Sequence, residues 1–343
     1  MNTFIKLFFC SFILLFLVIS AGEVHAGKSR YTFKVASLAP EGSVWTKRFR
    51  DFANEVTEKS GGEIGFKIYA GGVMGDDRAM YRKMRVGQIN GGGFTMTGIA
   101  DIVPDFRVLG VPFFFNSYEE VDELKQKIFP RFQKEFDKKN LVLLAMSEVG
   151  FIYTMSQKPI TTMDQLKKSK AWAPEGDPIS TALLESVGLT PIPLSIPDVL
   201  TSLQTGLINT AFNSFYGSIV MQWFTRTSYI TDIPFVYAYG AFLLDKKTFS
   251  RLPANYAQMM HAAAKKHFAK LLDDTRQSND EALQVLQDNN NSLVKLTPES
   301  RTELMNYREM TVEKLVGDAF SKEIYEEAVE HLEKFRREQT VKQ

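Results

Sequence analysis

Hydrophobic and polar residues recur along this chain with two periods, one typical of strands and one of helices. Tyr31, Phe33 and Val35 alternate with smaller or polar residues, and residues 64–68 alternate in the same way, as in half-buried strands. Between these segments, residues 45–56 place their large apolar side chains three and four positions apart, which predicts a helix that covers a sheet. Strands and helices continue to alternate, and the pattern predicts an α/β protein with a mostly parallel, doubly wound sheet.

The rest of the first half follows the same alternation. We expect a helix that begins at Asp76, a strand-like apolar run over residues 108–115, a helix over 121–136 and a strand over 141–146. The glycines Gly91 to Gly93 indicate tight backbone packing and not a dinucleotide loop, because the GxGxxG pattern is absent and no helix is expected to follow directly.

Residues 150–213 form a second set of strands and helices, including a helix opened by Pro197 and closed by Gly206. A second α/β unit is more easily housed in a second lobe than in one overlong sheet. From Pro253 to about Asn291 the chain is almost free of Gly and Pro, which predicts a long helix or two in series.

We therefore predict two lobes and a leader. The predicted boundaries are 1–26 for a signal peptide, 27–149 plus 238–277 for lobe I, and 150–237 plus 278–343 for lobe II. The charged end of the chain, from residue 334, is expected to fray.

The N-terminus has the three parts of a secretory signal peptide: Lys6, the apolar run from Leu7 to Ala21, and a small-residue cleavage site after Ala26. Cleavage would make this a periplasmic protein, and an uncleaved N-terminal anchor is the alternative. Cys10, the only cysteine, lies within this leader, so the mature chain has no disulfide and no thiolate metal site.

Composition excludes several classes of function. The 343 residues carry a formal net charge of +1, too little to suggest nucleic acid or a membrane surface as a main partner. Residues 22–29 match the phosphate-loop pattern GxxxxGKS, but an alternating strand and not a helix follows, and the match crosses the cleavage site. The three histidines of the mature chain lack metal-ligand spacing, and no GxSxG elbow occurs, so no catalytic residue, cofactor or metal site is predicted.

A group of aromatic residues falls near predicted strand ends, where ligands of α/β proteins bind. Most aromatic residues in such a chain pack in the core, which is the alternative for each member of the group. The members are Trp45, Phe94, Tyr153, Trp172, Phe212, Phe215, Tyr237 and Tyr239.

Motifs along nearly the whole mature chain resemble the solute-binding subunits of TRAP transporters, the DctP-type family. They include the segments Ala36-Ser37-Leu38-Ala39-Pro40, Gly75-Asp76-Asp77-Arg78, Met84-Arg85-Val86-Gly87, Pro112-Phe113-Phe114-Phe115, Lys158-Pro159-Ile160 and Leu203-Gln204-Thr205-Gly206. The resemblance implies a two-lobe periplasmic binding protein with a long helix spanning both lobes. Such a protein closes on a small solute, often an organic acid, and delivers it to an ion-driven membrane permease; it is not an enzyme.

The resemblance also assigns roles to three positions. Asn213 matches the ligand-facing asparagine of the family, whereas Ile152 and Trp172 stand where its carboxylate-binding arginines usually lie. A bidentate arginine–carboxylate pair is the strong way to hold an anion in a closed cleft, and neither residue can form one. This departure resembles the minority branch of the family that works with a helical-repeat periplasmic partner and takes apolar ligands.

We therefore expect a solute receptor for a small neutral or apolar molecule, with Trp172 offering a ring face and one N–H donor and Asn213 receiving the polar end of the ligand. Three alternatives remain. A lysine from the other lobe would hold an organic acid, the protein would sense a ligand without transport, or the fold would serve a periplasmic enzyme.

Overall fold

The structure, a computed structural model, describes residues 29–342. The predicted signal peptide, Cys10 and most of the GxxxxGKS match lie outside these residues, so their predictions stay untested. Within residues 29–342, none of the helices combines the length and the apolar composition that crossing a bilayer requires.

One seven-stranded sheet runs through the molecule in the order β2-β1-β3-β8-β4-β7, with β9 paired to β8. A separate two-stranded sheet pairs β5 with β6 in parallel. The strands are β1 (Tyr31–Ser37), β2 (Ile64–Tyr69), β3 (Gly91–Thr95), β4 (Leu141–Ser156), β5 (Trp172–Pro174), β6 (Ile192–Leu194), β7 (Thr210–Asn213), β8 (Tyr229–Asp245) and β9 (Ser292–Val294).

The main sheet is mixed, which differs from the mostly parallel sheet expected from the sequence. β1 is parallel to β2 and β3, but β8 is antiparallel to both β3 and β4, and β4 is antiparallel to β7. The difference arises because β4 and β8 are long strands that pass each other in opposite directions. The sequence pattern predicts each of them as two separate strands: 141–146 and a strand from Gly150 for β4, and 229–233 and 239–244 for β8.

Twelve α-helices surround the sheet in the described part of the chain. They are α1 (Val44–Lys59), α2 (Asp77–Arg85), α3 (Met96–Ile99), α4 (Tyr118–Lys138), α5 (Met163–Lys167), α6 (Pro178–Ser186), α7 (Val199–Thr205), α8 (Phe215–Val220), α9 (Lys246–Phe249), α10 (Ala254–Asp288), α11 (Pro298–Leu315) and α12 (Lys322–Lys342). Most begin at a Ser, Thr or Asp side chain that accepts a hydrogen bond from a free backbone N–H of the first turn, as at Ser43, Asp76 and Thr297.

Two local expectations were wrong. The apolar run over residues 108–115 is not a strand: Pro104–Gly110 form a 3-10 helix, and the chain then turns. This run is apolar because it is buried, and a continuous apolar run does not by itself distinguish a strand from another buried segment. In addition, a helix does follow Gly91–Gly93 directly, because the Thr95 side chain caps α3 by accepting a hydrogen bond from the Gly98 N–H.

The long helix α10 is confirmed as a single element of 35 residues, about 50 Å long at the usual rise per residue. It packs on α1, on β4 and on α8, and so it contacts elements of both predicted lobes. The last helix, α12, packs on α4 and shares its hydrophobic core, through Ile324, Ala328 and Leu332.

Residues 278–343 are predicted as part of lobe II, with fraying from residue 334, whereas α12 packs on α4 of predicted lobe I; the boundary stays a prediction. The buried apolar stripe of α12 was visible in the sequence, but the element that it packs on was not. Arg336 lies within the segment expected to fray, and its Nε donates to Glu120 Oε1 at the start of α4 at 2.8 Å. The remaining lobe boundaries stay predictions.

Candidate functional site

A cavity of about 230 Å³ lies beside the crossing of β4 and β8 and is lined by residues of both predicted lobes. Its volume is larger than the ~150 Å³ of an apolar cavity that takes up benzene, which suits a small solute. Most of the residues predicted as site residues line it: Trp45, Phe94, Ile152, Trp172, Phe212, Asn213, Tyr237 and Tyr239.

Two predicted site residues, Tyr153 and Phe215, are absent from the wall of this cavity. Their rings stack on each other, with centroids 4.1 Å apart. Tyr153 follows the cavity-lining Ile152 in β4, and successive side chains of a strand point to opposite faces, which places Tyr153 away from the cavity.

Trp172 lines the cavity, but its N–H group is already used. Trp172 is the first residue of β5, not the end of a strand as we expected, and its Nε1 donates to the Leu194 carbonyl oxygen of β6 at 2.9 Å. Its ring packs edge-on against Trp223 with centroids 5.3 Å apart. The residue is only 4% exposed, so it offers the cavity an apolar ring surface and no free donor.

Asn213 is the last residue of β7, and its Oδ1 accepts a hydrogen bond from the Ser214 N–H at 2.9 Å. The side chain also lies close to Gly217, where an added Cβ would be 2.2 Å from Asn213 Oδ1. A glycine is therefore needed at that position. Within residues 29–342, the Asn213 Nδ2 makes no hydrogen bond to another protein group, which leaves it as a donor beside the cavity.

Only two charged residues line the described cavity, and both are acids, Glu148 and Asp177. No lysine, arginine or histidine of residues 29–342 is part of the wall. Glu148 has no exposed surface and accepts hydrogen bonds from the Tyr237 hydroxyl at 2.9 Å and from Arg276 Nη2 at 2.9 Å.

The arginine that binds Glu148 is thus fully used by internal partners. Both terminal nitrogens of Arg276 also bind the carboxylate of Asp122, each at 2.7 Å, and its guanidinium lies over the Tyr118 ring at 4.4 Å. With two carboxylates around one guanidinium, no positive charge is left over for a ligand.

Other polar groups of the wall are also satisfied internally. Asp177 caps α6, where it accepts hydrogen bonds from the Ser180 N–H at 3.1 Å and the Ser180 hydroxyl at 2.5 Å, and burial raises the pKa of Asp177. The Trp45 Nε1 donates to the Glu148 carbonyl oxygen at 2.8 Å, and the Tyr239 hydroxyl donates to the Phe106 carbonyl oxygen. The wall therefore favours a ligand with few polar groups.

In residues 29–342, no group of three or more His, Cys, Asp or Glu side chains is placed to hold a metal ion. Glu148 is paired with Arg276, and Asp177 caps the N-terminus of α6, so both acids of the wall have internal partners.

The wall includes residues that the sequence analysis did not name, among them Glu148, Asp177, Trp223 and Phe235. Glu148 was detectable, because it is a lone acid in an otherwise apolar strand. Asp177, Trp223 and Phe235 could not be recognised as wall residues from their neighbours in sequence, because only the tertiary fold brings them to the cavity.

Comparisons with known proteins agree with this architecture. The sequence profile of the family described as bacterial extracellular solute-binding protein, family 7 (DctP), matches residues 35–318. A solute-binding protein of Chromohalobacter salexigens is 29% identical over 172 residues, which cover 49% of this chain. The matched region spans 51%, 64% and 55% of the length of three curated relatives, from Chromohalobacter, Verminephrobacter and Roseobacter.

Solved structures with the same fold cover nearly the whole chain. The sugar acid binding protein of Advenella mimigardefordensis, in complex with galactonate, superposes with a TM-score of 0.84 at 21% identity and covers 90% of this chain and 99% of its own. A TRAP periplasmic solute-binding protein of Desulfovibrio salexigens with bound orotic acid gives a TM-score of 0.81 at 18% identity, covering 89% and 99%. Together with the profile match, these findings show that the chain belongs to the DctP family of bacterial extracellular solute-binding proteins.

Proposed function

We propose that this protein is the extracytoplasmic solute receptor of a TRAP-type transporter and that it captures a small neutral or largely apolar solute in the cavity between its lobes. In this proposal the protein is exported to the periplasm by its predicted signal peptide and delivers the solute to a membrane permease. The observation that carries the choice of ligand is the wall of the cavity, which has two acids and no cation among the described residues.

Electrostatics explains why an acid would bind poorly. Removing a carboxylate from water costs several kcal/mol unless a cation pairs with it. Arg276 is held by Glu148 and Asp122, and both acids of the wall would repel an anion. The structural relatives described above hold galactonate and orotic acid, so this receptor would differ from them in ligand class.

The ligand contacts in this proposal come from residues that line the cavity. Trp172, Ile152, Phe94, Trp45 and Tyr237 supply apolar surface. Asn213 supplies a donor for the one polar end of the solute. Tyr153 and Phe215 would act indirectly, by supporting the strand that carries Ile152.

The alternatives have less support. An organic acid held by a lysine of the other lobe would need a lysine near the cavity, and the described wall has none. The family consists of solute-binding receptors and not of enzymes. A ligand-sensing subunit without transport would use the same cavity, and a genomic neighbourhood without permease genes would favour it. The helical-repeat periplasmic partner is a further part of the proposal.

Binding measurements with organic acids test the choice of ligand. We expect the wild type to bind glucuronate, galactonate, sialic acid and C4-dicarboxylates with dissociation constants above about 1 mM by calorimetry, because no cation compensates their charge. The variants Trp172→Arg and Ile152→Arg should gain acid binding of about tenfold or more. The control Trp172→Phe keeps an apolar ring and should gain none.

Two outcomes separate the proposal from its alternatives. Micromolar binding of any of these acids by the wild type would refute a neutral ligand. Mass spectrometry of the solute that copurifies with the native protein should instead identify a neutral molecule. Ile152→Arg serves as the second variant because Trp172 also packs on Trp223 and its replacement tests folding as well as binding.

A further inference from the structure

A second, smaller cavity of about 40 Å³ adjoins the first. Three residues line both cavities, Ser180, Phe212 and Phe235. The remaining wall of the small cavity is almost entirely apolar and comes from Thr154, Ile160, Met163, Leu166, Leu183, Leu184, Val187, Thr231, Ile233, Leu296 and Leu304.

The partition between the two cavities is a pair of aromatic rings. Phe212 and Phe235 meet edge to face, with centroids 5.1 Å apart and planes at 76°. Of the three residues that line both cavities, only Ser180 is polar. Its hydroxyl donates a hydrogen bond to Asp177 Oδ2 at 2.5 Å. Deeper in the small cavity, the Thr231 hydroxyl donates to the Ile160 carbonyl oxygen at 3.0 Å. Passage through the partition therefore meets ring surface and no free donor.

The small cavity is suited to hydrocarbon and not to water. A water molecule needs two to four polar partners in a buried site, and apolar cavities stay dry and take up apolar molecules. The volume of about 40 Å³ is far below the ~150 Å³ of an apolar cavity that takes up benzene, so the space fits the end of a hydrocarbon chain and not a ring. An unbranched chain is also the shape that passes most easily between two rings.

Resting on the proposed function above, we propose that the two cavities are subsites of one ligand site. The larger subsite takes the body of the ligand. The smaller subsite takes the end of an unbranched apolar chain, which passes between Phe212 and Phe235 when these rings turn. The ligand class is thus a neutral molecule with one polar end and a linear hydrocarbon tail.

The three tryptophans of the chain provide a direct readout. Trp45, Trp172 and Trp223 all line the larger cavity, so intrinsic fluorescence reports on its occupancy without a label. The probes are the primary n-alkanols from butanol to decanol. In the wild type we expect binding to tighten about fourfold for each added methylene until the tail fills the small cavity.

Two substitutions fill the small cavity without touching the larger one. Val187→Phe and Ile233→Phe place a ring in the space of the tail, so the fourfold increments should end one or two methylenes earlier than in the wild type. Affinity for the shortest alkanols should stay unchanged. Ile233 is half-buried, so its variant tests the proposal even if Val187→Phe fails to fold. Val285→Phe, at a 43% exposed position of α10, is the matched control and should reproduce the wild-type series.

The possible results distinguish the subsite from the proposed function. If the wild type and both filled variants bind the short alkanols and gain the same affinity with each added methylene, the two-subsite proposal is overturned. The proposed function would stand in that case. Failure of the wild type to bind any alkanol, together with tight binding of an acid, would overturn the proposed function as well. A shorter series in either filled variant, with Val285→Phe unchanged, would establish the small cavity as the tail subsite.

Discussion

Arg276 pairs with two carboxylates beside the cavity, those of Asp122 and of the completely buried Glu148. Its loss would leave Glu148 without a cation at a position with no exposed surface, where an unpaired charge is costly. We expect Arg276→Met to lower the free energy of unfolding by about 3–5 kcal/mol, measured by urea denaturation. The double variant Arg276→Met, Glu148→Leu should recover a large part of this loss, because it removes the orphaned charge.

A solvent-exposed ion pair provides the control for this cycle. Lys322 and Glu326 lie 3.3 Å apart with most of both side chains in solvent, and Lys322→Ala should cost less than about 1 kcal/mol. A loss of similar size in Arg276→Met and Lys322→Ala would mean that water solvates Glu148 once Arg276 is removed. No recovery in the double variant would mean that Arg276 contributes mainly by packing on Tyr118.

The site was only partly predictable from single residues. Ile152, Trp172 and Asn213 were chosen by resemblance, and they line one cavity together with most of the aromatic group. That these residues bind a ligand stays a prediction. The prediction did not foresee that the Trp172 N–H would bind Leu194, because that contact depends on β6, which lies twenty residues farther along the chain. It could not foresee the Arg276–Glu148 pair either, since charge pairing between distant elements has no local pattern.

Strand β4 crosses the middle of the molecule at Gly150, which has a φ of +106° and so a backbone conformation that favours glycine. A Cβ at this position would lie 2.7 Å from Asn279 Nδ2 of α10. Asn279 itself connects the crossing strand with α8, because its Nδ2 donates to the Val149 carbonyl oxygen and its Oδ1 accepts from the Tyr216 N–H, both at 3.0 Å. Glycine therefore permits the contact between β4 and the long helix.

We expect Gly150→Ala to lower the free energy of unfolding by about 2–4 kcal/mol, from backbone strain and from displaced hydrogen bonds of Asn279. Gly188→Ala is a matched control, because Gly188 has a φ of +87° but no atom within 4 Å of an added Cβ. It should lose only the strain energy, about 1–2 kcal/mol. Equal losses in the two variants, measured by denaturant unfolding, would show that the Asn279 contact adds nothing.

Helices and strands with a clear hydrophobic period, and helices with a capping residue, were predictable from the sequence. Strands whose extent depends on pairing with a neighbouring strand were not. The strand β1, the helix α1, the capped helix α2 and the 35-residue helix α10 follow the sequence pattern closely. In contrast, β4 and β8 were each predicted as two pieces, because Gly150 and the Ile233-Pro234 step interrupt their apolar pattern. Whether a strand continues through such an interruption depends on its neighbour in the sheet, and that information is not local.

The two predicted lobes also touch at the mouth of the cleft, outside the cavity. The Val44 N–H at the start of α1 donates to the Tyr216 hydroxyl at 3.0 Å, and the ring of Tyr216 lies 5.2 Å from that of Trp45. A second contact joins Gly72 of predicted lobe I to Pro197 of predicted lobe II. A Cβ added at Gly72 would lie 3.7 Å from Pro197 Cγ. We propose that these contacts hold a closed state and that the molecule opens by a hinge at the Gly150–Ala238 pair of β4 and β8.

Tyr216 allows closure to be tested apart from ligand contact, because it connects the predicted lobes but is not part of the cavity wall. Tyr216→Phe keeps the ring and removes the acceptor for Val44, so the closed state should be less populated. Since apparent affinity scales with the closed fraction, we expect alkanol binding to weaken about two- to tenfold and the radius of gyration from small-angle scattering to increase. Tyr307→Phe, which removes a hydroxyl bound to Glu303 within α11, should change neither. If Tyr216→Phe kept both the affinity and the radius of the wild type, the Val44 contact would not hold the cleft closed, and the hinge would have to be governed by the ligand and by α10 alone.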